Sequence, residues 1–237
     1  MRCGMFGKLP AKRDFIALFA PREFLDAWEP WMQGGISASR DTLAGGWQKA
    51  FLTAPIWRFW LGSEICRRTV LGAFMSSLDG LGRYYPLTVF GYADQNAAIP
   101  PPDLDPQDGW FTAAEEFLLR TLEANIAFDT VTQALDGLPV PVQEFSDAPT
   151  TEPVRSLAPG TLAAAVEGRS HADVFAELRA ANHASTYAAA SAWWTLGGDD
   201  FKPLALTCRG MPSPFLFTTM LSGRLDAAMA TNGHVEP

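Results

Sequence analysis

The stretch from Pro55 to Ala93 most constrains what this chain can fold into. It holds three short runs, IWRFWL, TVLGAFM and PLTVFGYA, each bounded by glycine, proline or charged residues. Such runs read as successive strands. Side chains alternate across a strand, so Trp57 and Phe59 point to one face while Arg58 and Trp60 point to the other. Bulky residues on both parities require cover on both sides of the sheet. The expected fold is therefore α/β, a three-layer α/β/α sandwich with a mixed, largely antiparallel central sheet, because short connections favour antiparallel neighbours.

Helical spacing supplies the covers. After a short strand in GMFGKLP, closed by Pro10, the residues Phe24, Leu25, Trp28, Trp31 and Met32 recur at three- and four-residue intervals behind Pro21. Gly34 and Gly35 are expected to end that helix. Leu43, Trp47, Ala50, Phe51 and Ala54 mark a second one, stopped by Pro55. A third is expected from Thr112, with Thr112 and Glu115 as a capping box and Phe111, Ala114, Leu118, Leu122 and Ile126 as its buried stripe, continuing after a break to Leu135. Ser170 and Asp173 form another capping box, ahead of Val174, Phe175, Leu178 and Ala181. SAWWTLG and PLALTC read as two strands of a hairpin, and PFLFTTMLSG as a last short helix.

These elements are expected to form one domain over residues 1–230, with a tail at 231–237. Its first half, 1–93, carries the motifs. Residues 94–110, rich in proline and aspartate, read as an exposed loop, and 111–230 form the second half. The prolines within 137–160 exclude regular helix there.

Composition removes several functions. Acidic residues outnumber basic ones 26 to 18, for a net charge of −8, and the basic residues are scattered except for Lys8, Lys12 and Arg13 and the pair Arg67 and Arg68, so nucleic acid is not an expected partner. No apolar run is long enough to cross a bilayer, and charges at Lys8, Lys12, Arg13 and Asp14 interrupt any signal peptide, so a cytoplasmic protein without membrane insertion is expected. The three cysteines, Cys3, Cys66 and Cys208, lack metal-ligand spacing and read as inert thiols. The three histidines fall near no nucleophile motif, and no phosphate-binding or hydrolase signature occurs. Asp103, Asp105 and Asp108 read as solvated loop residues. No cofactor and no metal are expected.

The polar turn Ser76, Ser77, Asp79, Arg83 is the remaining chemical candidate. Asp79 can cap the turn and pair with Arg83, or the serines can serve a small hydrolase.

Three blocks carry a family resemblance. Gly7, Lys8, Leu9, Pro10, Asp14 and Phe15 form the first. Leu52, Thr53, Pro55, Trp57, Arg58 and Phe59 form the second. The third comprises Met75, Ser77, Asp79, Gly82, Arg83, Tyr84, Pro86 and Leu87. Together they resemble the TagF (ImpM) family of type VI secretion-associated proteins over about the first 90 residues of the chain. The chain departs from the pattern at Arg13, where glycine is usual, at Ser76 in place of proline, and at Gly80 in place of arginine. The resemblance implies the three-layer fold. It also implies a cytoplasmic, non-enzymatic protein that restrains type VI secretion after translation by binding the forkhead-associated scaffold protein of that system. Arg58, Trp60, Asp79, Arg83 and Tyr84 are the candidate protein-binding residues, since Arg, Tyr and Trp dominate interface energetics. A structural accessory subunit of the secretion machine is the other non-catalytic reading.

Overall fold

The computed structural model describes residues 2–95, 97–143, 154–158, 160–198 and 200–225. The tail expected at 231–237 lies outside the described residues. Strands β1 (Cys3–Gly7) and β2 (Ile16–Leu18) precede helices α1 (Arg22–Leu43) and α2 (Trp47–Thr53). Then follow β3 (Trp57–Leu61), the short α3 (Ser63–Cys66), β4 (Val70–Met75), β5 (Leu87–Tyr92), α4 (Asp108–Arg120) and α5 (Phe128–Asp136). The remainder comprises β6 (Arg155–Ala158), β7 (Thr161–Ala163), α6 (His171–Ala181), α7 (His183–Thr186), β8 (Ala190–Thr195), β9 (Leu204–Arg209) and α8 (Leu216–Ser222).

Seven strands form one sheet in the order β2-β1-β5-β4-β3-β8-β9, and β6 and β7 form a separate two-stranded ribbon. Every pairing is antiparallel. The central meander β3-β4-β5 pairs Phe59 with Gly72 and Gly72 with Phe90. Gly72 is required there, because a Cβ would lie 2.3 Å from Phe59 Cζ and 2.6 Å from Val89 O.

Both faces are covered, as the two-sided strands demand. On one side Phe24, Trp28, Trp31 and Met32 of α1, Phe51 of α2 and Phe217 and Met220 of α8 pack on Trp57, Phe59, Phe74, Phe90 and Trp193. On the other, Trp110, Phe111, Phe117 and Leu118 of α4 and Val131 and Leu135 of α5 pack on Met5, Trp60, Leu71 and Val89. Fully burying side chains of this size contributes roughly 1.5–3 kcal/mol each, so these two layers dominate the energetics.

The structure corrects several expectations. Gly34 and Gly35 do not end the first helix, which runs on to Leu43. Gly35 instead lets α8 approach: a Cβ there would stand 2.8 Å from Phe217 Cβ. Thr112 and Glu115 form no capping box, because α4 starts at Asp108 and Thr112 Oγ1 bonds back to Asp108 O at 2.9 Å. Leu122, placed on the buried stripe, is exposed beyond the helix end. Phe175 is exposed although Val174 beside it is buried, whereas the Ser170 cap does form, accepting from Asp173 N at 3.1 Å.

The 94–110 segment is not a loose exposed loop. Ile99, Pro100, Pro101 and Gln107 are buried. Ile99 N–H donates to Thr69 Oγ1 and Ile99 O accepts from Trp60 Nε1. The prolines lack N–H groups to satisfy, which lets this irregular chain lie against the sheet at little polar cost.

Candidate functional site

The site grows out of two loops that fold against each other. The turn between β4 and β5 closes on itself, with Asp79 N–H donating to Arg83 O at 3.1 Å and Gly82 N–H to Asp79 O at 2.9 Å. Gly82 has φ +78, the left-handed conformation that glycine adopts without strain. The loop leaving β1 then docks onto this turn. Gly80 N–H donates to Lys12 O at 2.7 Å, and Arg83 Nη2 donates to Arg13 O.

Asp79 ties the loops together. It is fully buried, and its Oδ1 accepts from Leu81 N at 2.9 Å and Arg83 N at 3.0 Å. Its Oδ2 accepts from Arg83 Nε at 2.7 Å and lies 3.1 Å from Lys8 Nζ, itself buried. Burial alone raises the Asp79 pKa. The Arg83 N–H, the Lys8 ammonium, the Arg83 guanidinium and the Leu81 N–H together outweigh that effect and hold the carboxyl well below its usual range. A buried carboxylate met by two cations and two amides is a structural clasp, with its acceptor positions occupied.

Around this clasp lies an aromatic rim. Phe15 stacks on Phe6 at 5.9 Å and meets Tyr85 edge-on at 4.7 Å, with Lys8 Nζ 5.1 Å from its centroid. Tyr84 packs edge-on against Trp47 and Phe51 of α2, and its hydroxyl accepts from Gln48 Nε2. An open pocket of about 340 Å³ lies between Phe15, Tyr84, Tyr85 and the Ile36–Asp41 side of α1.

The five sequence candidates therefore separate. Asp79, Arg83 and Tyr84 come together at the turn, with Arg83 exposed and Tyr84 half-buried. Arg58 and Trp60 do not join them, and neither is on the surface. Arg58, 4% exposed, donates from Nε to Glu115 Oε1 at 2.6 Å, with Asp108 Oδ1 3.5 Å from Nη1 and Phe111 beneath it. Trp60, 3% exposed, is held by Ile99 O at 3.1 Å. Both project into the layer between sheet and α4, so the expectation that they form a contact surface is corrected: they join layers of the fold. Asp79 likewise braces the rim from beneath.

Lys8, Phe15 and Gln48 are site residues not singled out as candidates. Lys8 and Phe15 carry a signal, since both fall in the first motif block beside the turn they contact. Gln48 carries none. The departures from the family pattern are accommodated locally. Arg13 does not adopt a left-handed backbone and offers its carbonyl to Arg83. At Gly80 a Cβ would stand 3.1 Å from Pro10 O and 3.3 Å from Lys12 O, so glycine permits the close docking of the loops.

Among the described residues no group of His, Cys, Asp and Glu side chains is arranged to hold a metal ion, and no helix is long and apolar enough to cross a membrane.

A two-faced antiparallel sandwich with motif loops clasped at one end of its sheet defines the class of protein, and comparison places it in a family. Residues 4–138, more than half of the chain, match the TagF N-terminal domain, Type VI secretion system-associated. The chain belongs to this family of type VI secretion-associated proteins. Its fold is similar to the crystal structure of PA0076 from Pseudomonas aeruginosa PAO1, with a TM-score of 0.75 and 31% identity, covering 99% of this chain and 97% of that one. Among curated proteins none matches the chain significantly.

Proposed function

We propose that this protein is a cytoplasmic, non-enzymatic, negative regulator of type VI secretion that acts after translation by binding the forkhead-associated scaffold protein of that system. Family membership supplies the system. The observation that carries the mode of action is the clasped turn, in which a buried carboxylate holds an exposed guanidinium in a fixed position, next in sequence to Tyr84 and bonded to the loop that carries Phe15. Preorganised Arg and aromatic side chains lose little entropy on association, which suits stoichiometric binding. Catalysis has less support at this turn. Among the described residues the buried Ser77 Oγ has no hydrogen-bond partner, so none of them serves it as a general base, and Asp79 is already engaged by Lys8 and Arg83.

The test is direct. Purified chain mixed with the forkhead-associated protein of the same genome, each at about 10 µM, should co-elute. No complex at that concentration would remove the proposed partner. In cells, deletion should raise secretion and overproduction should lower it. A structural accessory subunit would instead lower secretion on deletion.

A further inference from the structure

Among the described residues strand β9 is the open edge of the seven-stranded sheet, paired only with β8. Gly62 N–H donates to Ala190 O and Gly210 N–H donates to Ala189 O, which fixes the phase of the ladder. Backbone groups of even-numbered residues in β9 then point to β8, and those of Ala205, Thr207 and Arg209 point outward, without a partner among the described residues. Natural edges are blunted by charged side chains, lysine above all, by proline, a bulge or brevity. The opposite edge, β2, is three residues long, whereas β9 runs for six, LALTCR, without an internal proline and with its one charge, Arg209, at the end.

The side chains of Ala205, Thr207 and Arg209 share one exposed face. Ala205 and Thr207 line an apolar pocket of about 440 Å³ with Pro102, Asp103 and Trp194. Asp103 is exposed at this pocket, and its Oδ2 accepts from Tyr187 Oη at 2.6 Å. Arg209 is exposed and has no ion-pair or hydrogen-bond partner for its side chain among the described residues.

We propose that β9 pairs antiparallel with β9 of a second copy of this chain, about a two-fold axis through Thr207, to make one continuous sheet. In that register Thr207 meets its own symmetry mate and Ala205 lies opposite Arg209 of the other copy, with both side chains on the pocket face. The arginine of each copy then extends over Ala205 toward Asp103, so an unpaired cation on one copy meets an exposed carboxylate on the other, twice. No like charges oppose one another along the strand. The contact is isologous and closes as a dimer. It uses a different part of the molecule from the clasped turn and does not depend on the partner proposed there.

The test is sedimentation equilibrium on the full chain between about 1 and 200 µM, where the wild type should approach twice the monomer mass. Thr207→Pro removes an outward N–H and leaves the backbone ladder to β8 in place, losing there only the Thr207 Oγ1 hydrogen bond to Ser191 O, and should be monomeric with an unchanged far-ultraviolet spectrum. Arg209→Glu should raise the dissociation constant by about tenfold or more, and adding Asp103→Arg should restore it to within about threefold. A wild type that stays monomeric throughout, a dimer that survives Thr207→Pro, or a charge swap that fails to rescue Arg209→Glu would overturn the proposal. A monomer whose β9 accepts a strand only from a different protein falls in the first of these outcomes.

Discussion

Asp79 shows how much one buried group can organise. Replacing it with alanine leaves Lys8 and the Arg83 backbone without their acceptor, and an uncompensated buried cation is among the costlier defects a fold can carry. Asp79→Ala should lower the melting temperature by roughly 5 °C or more by calorimetry. The pH dependence follows from the depressed folded-state pKa. Its stabilisation is complete above the unfolded value of about 3.9 and is lost as pH falls through the lower folded value. The melting-temperature gap between wild type and Asp79→Asn should therefore be constant above about pH 5 and narrow below about pH 4. Arg83→Ala takes the Nε donor from buried Asp79 and the tie to Arg13 O. It should weaken the proposed partner complex by about tenfold, read by isothermal titration, and also lower the melting temperature, though by less than Asp79→Ala because Lys8 still faces the carboxylate. Thiol chemistry gives an independent check. Burial pushes the Cys66 thiol up to about 12 and raises Cys3, while Cys208 is half-buried, so native alkylation at pH 8 should label Cys208 well before the other two. The Asp79–Arg83 pair is legible in sequence because both lie in one glycine-bearing turn. The Lys8 contact is not, since nothing local announces a bond between distant loops, and Glu115 reads as a cap only until its real partner, Arg58, is seen across a layer.

The elements follow their sequence patterns where local chemistry decides and depart from them where tertiary contact does. The strands of the central meander are visible as apolar runs, and their two-sided character already dictates cover on both faces. Gly34 and Gly35 carry the same letters as a helix stop, yet α1 continues through them because packing against α8 outweighs the propensity cost of about 1 kcal/mol per glycine. Gly35→Val should expose this trade. Its side chain would collide with Phe217, and the expected loss is about 1–3 kcal/mol in denaturant unfolding, where a gain would be expected if the glycine were only a weak point in the helix. The segment after β5 is misleading for the opposite reason. Its proline and aspartate content predicts solvent, but a few buried groups, Ile99 above all, suffice to fasten it to the sheet.

Across the whole molecule, chain order and core membership do not coincide. The family match ends at residue 138, whereas Trp193, Phe217 and Met220 belong to the same buried cluster as Trp28 and Phe59. A fragment ending there would leave β3 unpaired along one side and open the core beneath α1. Such a fragment should show no cooperative thermal transition by calorimetry, while the full chain should show one. The end of the family match is thus not the end of the folding unit, which extends well past it and resembles PA0076 over 99% of the chain. The three-layer architecture was readable from the first half of the chain alone; that its core is completed by the last strands was not, because no local pattern encodes which distant strand joins β3.

The seating of Trp193 against α1 also gives the molecule an optical signature. Its ring lies 5.8 Å from Trp28 and 4.7 Å from Trp31, and those two are 5.2 Å apart. Indoles this close, held at fixed angles, couple their electronic transitions and generate near-ultraviolet dichroism that vanishes when they separate. Arrival of the final hairpin could thus be timed during refolding by light alone, with no label added.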